Sequence, residues 1–295
     1  MQSTKGLILF GGIMKRIIYS VYVDIHDLQQ DRRDIPLYTQ QQLKKFRTKL
    51  IDCKKHYAEI TNSEFRLFAK DKIYEDFLKN FTHDNWEFNK LNFYKLYLFE
   101  KLAQDYDEVL YLDFDVVPKT NDSIFEVTDK IAVHAVDATK ENTWPEKMLV
   151  AGQKYEDNIK RLDGYHWYTK AMCKQAMLSI DMTSPLNYLI SNTAILLGQK
   201  QEIKKLQFFT RMNEMMSKFA QVKIENLYGK VLTDMFFVNN EVFFTYLLEN
   251  YHIDWHNLSN QWHYIQLKDY KNSIDVSEAK FIHAIDKNFG KIFDV

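Results

Sequence analysis

A strand followed by two aspartates decides how this chain folds: Val109-Leu110-Tyr111-Leu112-Asp113-Phe114-Asp115-Val116-Val117-Pro118. The first four residues are an apolar run of strand length. Because side chains alternate along a strand, Asp113 and Asp115 point to the same side, with Phe114 opposite. Two carboxylates so close repel each other unless a cation lies between them, and Mg²⁺ and Mn²⁺ prefer such oxygen ligands. The stretch predicts a divalent metal site; the alternative is a pair of solvated loop aspartates after an edge strand.

The rest of the chain alternates between strand-like and helix-like stretches. Apolar runs of strand length cover residues 17–23, 65–68, 131–135, 186–197 and 280–285. Helical spacing of apolar residues covers 38–59, 88–102, 199–221 and 236–248. Strands that alternate with helices predict an α/β fold with a Rossmann-like, mainly parallel sheet flanked by helices. Such sheets bind ligands at the carboxyl ends of their strands, where the two aspartates stand.

The composition is that of an ordinary folded globule. The 295 residues carry 39 lysines and arginines against 40 aspartates and glutamates, a formal net charge of −1. That balance argues against a nucleic-acid partner and against a polybasic membrane-surface protein. The two cysteines form neither a disulfide framework nor a zinc site, and no apolar run reaches the roughly 18 residues that span a bilayer. We therefore expect a soluble, cytoplasmic protein with no integral membrane segment.

Glycine is scarce in this chain. There are 8 glycines, where average usage would give roughly 20. The adjacent pair, Gly11-Gly12, falls in residues 1–13, which we interpret as a leader outside the fold. Glycine-rich loops bind phosphates through bare backbone amides, and this chain lacks the residues for one. A phosphate-bearing ligand would need a bound cation and lysines instead.

Phosphatases of the haloacid dehalogenase type also place Asp-x-Asp after a buried strand. Residues 112–117 are similar to their opening motif, in which the first aspartate attacks phosphate. That motif stands on the first strand, whereas here at least one strand and two helices precede it. Those enzymes also carry a late Gly-Asp or Asp-Asp pair, and this chain contains neither dipeptide. The phosphatase interpretation is therefore disfavoured.

The predicted helix before the aspartates adds a second pattern. Residues 93–98, FYKLYL, followed by residues 106–118, YDEVLYLDFDVVP, resemble the helix-then-DxD segment of GT-A-fold glycosyltransferases. The segment is most similar to the retaining family 8 branch, which includes glycogenin and LgtC. In that branch a basic residue on this helix reaches the donor phosphates or sugar, and Lys95 stands at the matching place. Without the resemblance, Lys95 would be interpreted as a solvated helix lysine.

The resemblance also implies residues on the sugar side of the site. An Asn-small-Gly segment of the family contacts the donor sugar, and Asn192 matches it, although Ala194 stands where glycine is usual. A buried asparagine must find hydrogen bonds, so a structural role is equally open. An acidic or amide pair near the reacting anomeric carbon matches Asn240-Glu241, and Asp234 competes for that role. We take Asn192 and Glu241 as the candidate catalytic residues.

Near the C-terminus the family supplies a histidine as the third metal ligand and then a lysine that neutralises the leaving diphosphate. His283 matches the ligand, so the implied metal set is Asp113, Asp115 and His283. The lysine is Lys287 or Lys291, because Asp286 occupies the place of the family's glycine. The remaining donor-binding candidates lie at the end of the first strand and between the aspartates: Tyr22, Val23, Asp24 and Phe114.

The resemblance implies one GT-A-type domain over residues 14–295, with a nucleotide-binding half at about 14–135 and an acceptor-side half at about 136–295. It implies transfer of a hexose, with retention, from a nucleotide sugar to a saccharide or glycoconjugate acceptor. UDP-sugars are the favoured donors, and Mn²⁺ or Mg²⁺ is the implied cofactor. Two alternatives stay open: a nucleotidyl- or phosphoryl-transfer enzyme that uses the same metal site, and a non-catalytic nucleotide-sugar-binding relative.

Overall fold

The computed structural model describes residues 14–23, 37–81, 87–138, 166–181, 187–222, 239–267 and 272–293. The predicted leader over residues 1–13 and the candidate residues Asp24 and Asp234 lie outside the described residues. The strands, in chain order, are β1 (Arg16–Val21), β2 (Glu64–Phe68), β3 (Glu108–Leu112), β4 (Val116–Pro118), β5 (Ile131–Asp137), β6 (Leu189–Gln199), β7 (Trp255–Asn257), β8 (Tyr264–Gln266) and β9 (Phe281–Ala284).

A six-stranded sheet in the order β2-β1-β3-β6-β5-β7 forms the centre of the fold. β1 runs parallel to β2 and β3, and β5 runs parallel to β7. β6 is antiparallel to both of its neighbours, β3 and β5. The predicted α/β class is confirmed. The reversal of β6 was not predicted, because an apolar run shows that a strand is buried but not which way it runs.

Helices cover both faces of this sheet. They are α1 (Leu37–Ile60), α2 (Lys72–Asn80), α3 (Glu87–Leu102), α4 (His166–Asp181), α5 (Lys200–Leu206), α6 (Phe208–Val222), α7 (Asn240–Asn250) and α8 (Gly290–Phe293). Alternate residues of β3 belong to different cores: Val109 and Tyr111 pack with α3 and α7, whereas Leu110 and Leu112 pack with Tyr57 of α1. Burial on both faces explains why β3 is an unbroken apolar run.

A second, three-stranded sheet in the order β4-β9-β8 lies beyond the end of β3. β4 and β9 are antiparallel, with Val116 opposite His283, and β8 is parallel to β9. β4 begins just after the two aspartates. This small sheet therefore brings the C-terminal histidine to the aspartate segment.

The predicted helix over residues 199–221 is wrong as a single element. It is two helices, α5 and α6, separated by Gln207 in the left-handed region at a φ of 43°. The amide of Phe208 donates to Oε1 of Glu100 on α3 at 3.3 Å. The break depends on this tertiary contact, which the apolar spacing along one segment does not contain.

Gly198, near the end of β6, allows α5 to pack closely. A Cβ at Gly198 would lie 2.7 Å from Cγ1 of Ile203 and 3.1 Å from Cζ of Phe99. We expect Gly198→Ala to lower the free energy of unfolding by about 1–3 kcal/mol, because extra volume in a packed core forces neighbours to shift. Urea denaturation followed by circular dichroism measures the change. An unchanged midpoint and slope would contradict this account of the packing.

Candidate metal centre and donor site

Backbone hydrogen bonds hold the turn that follows β3. The amide of Val116 donates to the carbonyl of Asp113 at 3.0 Å, which closes a turn over residues 113–116. The amide of Asp113 donates to the carbonyl of Ala194 on β6 at 2.7 Å. The carboxylates of Asp113 and Asp115 therefore approach each other across a turn and not along an extended strand, because β3 ends at Leu112.

Three side chains from the two sheets meet at this turn. One ligand atom from each of Asp113, Asp115 and His283 lies within 4.8 Å of the other two. Nε2 of His283 is 3.7 Å from Oδ2 of Asp115. Two carboxylate oxygens and an imidazole nitrogen suit a divalent ion such as Mn²⁺, and the carboxylates also suit Mg²⁺. No other group of three His, Cys, Asp or Glu side chains converges in this way among the described residues.

Each of the two aspartates is paired with a lysine. Nζ of Lys95, on α3, lies 3.2 Å from Oδ1 of Asp113, which also accepts a hydrogen bond from the Tyr111 hydroxyl. Lys287, in the left-handed region at a φ of 57°, donates to Oδ2 of Asp115. The exposed Lys291 lies on α8. The structure thus brings Lys287 to the aspartates, and it places two positive charges beside two negative ones.

The protonation states of these groups suit metal binding. Burial by itself raises the pKa of Asp115, but the ammonium group of Lys287, together with the other groups around the carboxylate, holds that pKa well below its usual range. Burial lowers the pKa of His283, so its ring is neutral at pH 7. Burial and the nearby Asp113 raise the pKa of Tyr111, so its hydroxyl keeps its proton. The carboxylate and imidazole therefore offer lone pairs at neutral pH.

The end of β1 lies beside the aspartate turn. The rings of Tyr22 and Phe114 are 4.2 Å apart, and the guanidinium of Arg47 lies 5.4 Å from the centre of the Tyr22 ring. Val23 is buried. The structure thus brings Tyr22 and Phe114 together next to the aspartates.

Asn192 lies on β6, and Glu241 lies on α7 beside that strand. Both are on the side of Asp113 away from β1. Oδ1 of Asn192 accepts a hydrogen bond from the amide of Ala194 at 3.0 Å, so this buried side chain supports its own strand. Glu241 stands in the first turn of α7, and its Oε1 accepts from the amide of Thr193 at 3.3 Å. Residues 192–194 therefore link both candidates to the backbone of Asp113.

Comparison with solved structures identifies the architecture. Mouse xyloside xylosyltransferase 1 matches 91% of this chain and 97% of its own length, with a TM-score of 0.50 and 9% sequence identity. The chain has a glycosyltransferase fold. An active-site mutant of LgtC matches 91% of this chain and 87% of its own, with a TM-score of 0.47 and 13% identity. A glycosyltransferase involved in glycosylation of the major capsid of PBCV-1 matches 92% of this chain and 94% of its own length, with a TM-score of 0.43 and 12% sequence identity.

The likeness to the xylosyltransferase structure confirms the predicted GT-A fold. No protein-family model and no curated protein matches the sequence. None of the described helices is long and apolar enough to cross a membrane.

A buried lysine supports the aspartate turn of this glycosyltransferase fold from behind. Nζ of Lys54, on α1, donates to the carbonyl of Phe114 at 2.9 Å and to the carbonyl of Leu50 at 3.3 Å. Lys54 has no exposed surface, and burial lowers its pKa. We did not predict this residue. Its position four residues after Leu50, on the apolar face of the predicted helix, was a signal that could have identified it.

Two further buried residues near the site were not predicted from the sequence. Nε2 of His263 lies 3.1 Å from Nδ1 of His283. Lys170, on α4, forms an ion pair with Glu241. His263 contacts a partner 20 residues away along the chain, and Lys170 contacts one 71 residues away. Neither residue belongs to a local motif. Their roles depend on how separate elements pack, so no signal in the sequence marks them.

Lys170 should be important for stability. Its side chain is 4% exposed and that of Glu241 is 15% exposed. We expect Lys170→Met to cost about 3–5 kcal/mol of unfolding free energy, because it leaves the Glu241 carboxylate buried without its cation. The double variant Lys170→Met/Glu241→Gln should recover most of that loss. Urea denaturation compares the two, and equal losses in the single and double variants would contradict the explanation.

An exposed ion pair provides the matched control for the Lys170 experiment. Lys79 and Asp76 of α2 are 2.7 Å apart, with side chains 72% and 48% exposed. Lys79→Met should leave the free energy of unfolding close to that of wild type, because water screens such pairs.

Proposed function

We propose that the chain transfers a sugar from a nucleotide-sugar donor to a saccharide or glycoconjugate acceptor, with Mn²⁺ or Mg²⁺ held by Asp113, Asp115 and His283. The observation that carries this proposal is the convergence of those three side chains within 4.8 Å, in a glycosyltransferase fold. They meet just after the carboxyl end of β3, where sheets of this class bind ligands.

The electrostatic problem of such a transfer is the leaving group. Cleavage of the anomeric C–O bond develops negative charge on a nucleoside diphosphate. When bound, the divalent ion would supply Lewis-acid stabilisation of that charge. Lys95 and Lys287 stand beside the two carboxylates, so ammonium groups are already positioned to donate to the diphosphate oxygens. The two lysines would thus bind the phosphates, as the backbone amides of a glycine-rich loop do in other proteins.

The donor's nucleoside is assigned to the end of β1. Tyr22 and Phe114 form a ring pair next to the aspartates, and an aromatic face of this kind can stack on a nucleobase. We assign contacts with the ribose to the two residues that follow in the sequence, Val23 and Asp24. UDP is the favoured nucleotide because of the resemblance to the glycogenin and LgtC branch.

The sugar side of the reaction is assigned to Asn192 and Glu241. Glu241 is held at one oxygen by the amide of Thr193 and at the other by Lys170. We propose that this carboxylate faces the anomeric carbon, and that transfer proceeds with retention by front-face attack or through a transient nucleophile.

Incubation with a panel of UDP- and GDP-sugars, with Mn²⁺ or with EDTA, tests the proposed function. We expect metal-dependent release of one nucleoside diphosphate and, with a suitable saccharide, a product heavier by one sugar in mass spectrometry. Release of phosphate or pyrophosphate from a nucleoside triphosphate would instead support a phosphoryl- or nucleotidyl-transfer enzyme. Binding of a nucleotide sugar with no turnover under any condition would support a non-catalytic relative.

A further inference from the structure

Three buried histidines stand in a row behind the candidate metal centre. They are His134 on β5, His263 just before β8, and His283 on β9, with 5%, 0% and 7% of their surface exposed. Ring centres are 5.0 Å apart between the first two and 5.3 Å apart between the last two. Only the last of the three is a candidate metal ligand.

The two nitrogens of His283 face different partners. Nε2 lies 3.7 Å from Oδ2 of Asp115, toward the candidate ion. Nδ1 lies 3.1 Å from Nε2 of His263. A hydrogen bond between these two ring nitrogens contains one hydrogen, so one ring donates and the other accepts. Nε2 of His283 can bind a cation only through its lone pair, so a neutral His283 carries its hydrogen on Nδ1.

We propose that His263 is a positioning residue: its Nε2 accepts the Nδ1 hydrogen of His283 and holds that ring in the tautomer and orientation that bind the divalent ion. The inference rests on the proposed function for the metal centre. It adds a second partner behind the ligand, of the kind that raises the basicity of metal-bound histidines.

The other nitrogen of His263 indicates that the ring acts through Nε2. Its Nδ1 is buried and has no hydrogen-bond partner among the described residues. A buried polar atom without a hydrogen-bond partner is destabilising, so an apolar side chain would serve packing alone better than imidazole does. Because Nδ1 makes no hydrogen bond among the described residues, the hydrogen-bonding role of the ring lies at Nε2, which faces His283.

The neighbours of His263 keep its ring in place. Its backbone amide donates to the carbonyl of Ser259 at 3.1 Å. On its far side, Nδ1 of His134 donates to the carbonyl of Leu258 at 2.8 Å, because a carbonyl can only accept. His263 is therefore packed between a fixed ring and the ligand ring, with little freedom to turn away.

Two substitutions at His263 separate positioning from packing. Glutamine can place an amide oxygen near the position of Nε2 and accept the same hydrogen, whereas phenylalanine fills the space and cannot accept it. The Kd for Mn²⁺ is measured on the full chain without donor, by the EPR signal of free Mn²⁺. We expect His263→Phe to raise that Kd by about 10- to 100-fold, with His263→Gln closer to wild type than to the phenylalanine variant. The exposed His256, as His256→Gln, is the control and should leave Kd unchanged.

A measurement on the wild-type chain keeps the inference testable if His263→Phe does not fold. Nitrogen-15 NMR of histidine rings, with diamagnetic Zn²⁺ as the bound ion, reports which ring nitrogens of His283 and His263 carry hydrogen. We expect hydrogen on Nδ1 of His283 and none on Nε2 of His263. Hydrogen on Nε2 of His263 in the Zn²⁺ form would overturn the inference.

The outcomes also distinguish this inference from the proposed function. A folded His263→Phe variant that binds Mn²⁺ as tightly as wild type overturns the role of His263 and leaves the metal centre standing. A wild-type chain that does not bind Mn²⁺, or whose binding does not depend on Asp115, overturns the proposed metal centre and the inference with it.

Discussion

Replacement of Asp115 by asparagine is expected to lower the rate of metal-dependent sugar transfer by about a thousandfold. Asparagine keeps the size of the side chain and one oxygen but removes the negative charge that would hold the divalent ion. A bound metal contributes several kcal/mol of transition-state stabilisation, and a loss of about 4 kcal/mol corresponds to about a thousandfold in rate. Asp115 is buried and paired with Lys287.

Initial rates of nucleoside diphosphate release at saturating Mn²⁺ measure this effect in Asp115→Asn and wild type. Asp76→Asn is the matched control, because Asp76 is also paired with a lysine but lies on the surface of α2. Circular dichroism spectra and melting curves establish that both variants fold. An Asp115→Asn protein that retains Mn²⁺-stimulated transfer close to wild type would contradict the assignment of Asp115 as a metal ligand.

Lys287→Met is expected to lower kcat by about 100- to 1,000-fold, the usual cost of removing one donor from a developing negative charge. Lys287 stands at the metal side of the site, in contact with Asp115. The effect should fall mainly on kcat, because the charge on the diphosphate grows as the anomeric bond breaks.

Lys291→Met tests whether the loss is specific to position 287. Lys291 is exposed on α8, so this variant removes the same charge from the same end of the chain. We expect its kcat and KM to stay near wild type. A large loss of kcat in Lys291→Met with none in Lys287→Met would contradict this assignment and show that Lys291 is the lysine that contacts the diphosphate.

The aspartate turn and its surroundings could be predicted because the information is local. Asp113 and Asp115 are two residues apart and directly follow a buried strand, so their convergence needs no knowledge of the rest of the fold. His283 is different. Its approach depends on the pairing of β9 with β4, and the sequence suggested it only through the family resemblance, since no metal-ligand spacing connects residues 115 and 283.

Other features could not be predicted because they arise from tertiary packing. The apolar pattern of β6 shows burial on both faces but not an antiparallel direction. α2 was not predicted, although it has a local signal: it begins at Lys72 and is capped by Asp71, whose side chain accepts hydrogen bonds from the amides of Ile73 and Tyr74. His263 and Lys170 are ordinary polar residues in sequence, and only the fold reveals that each is buried against a candidate site residue.

A crystal structure with Mn²⁺ and UDP, with anomalous scattering recorded at the manganese edge, tests the central claim most directly. We expect one anomalous peak, from a manganese ion bound by Asp113, Asp115 and His283 and in contact with the diphosphate. We also expect Lys95 and Lys287 to donate hydrogen bonds to the diphosphate oxygens. A manganese ion or a diphosphate bound elsewhere, with the lysine–aspartate pairs unchanged, would contradict the account.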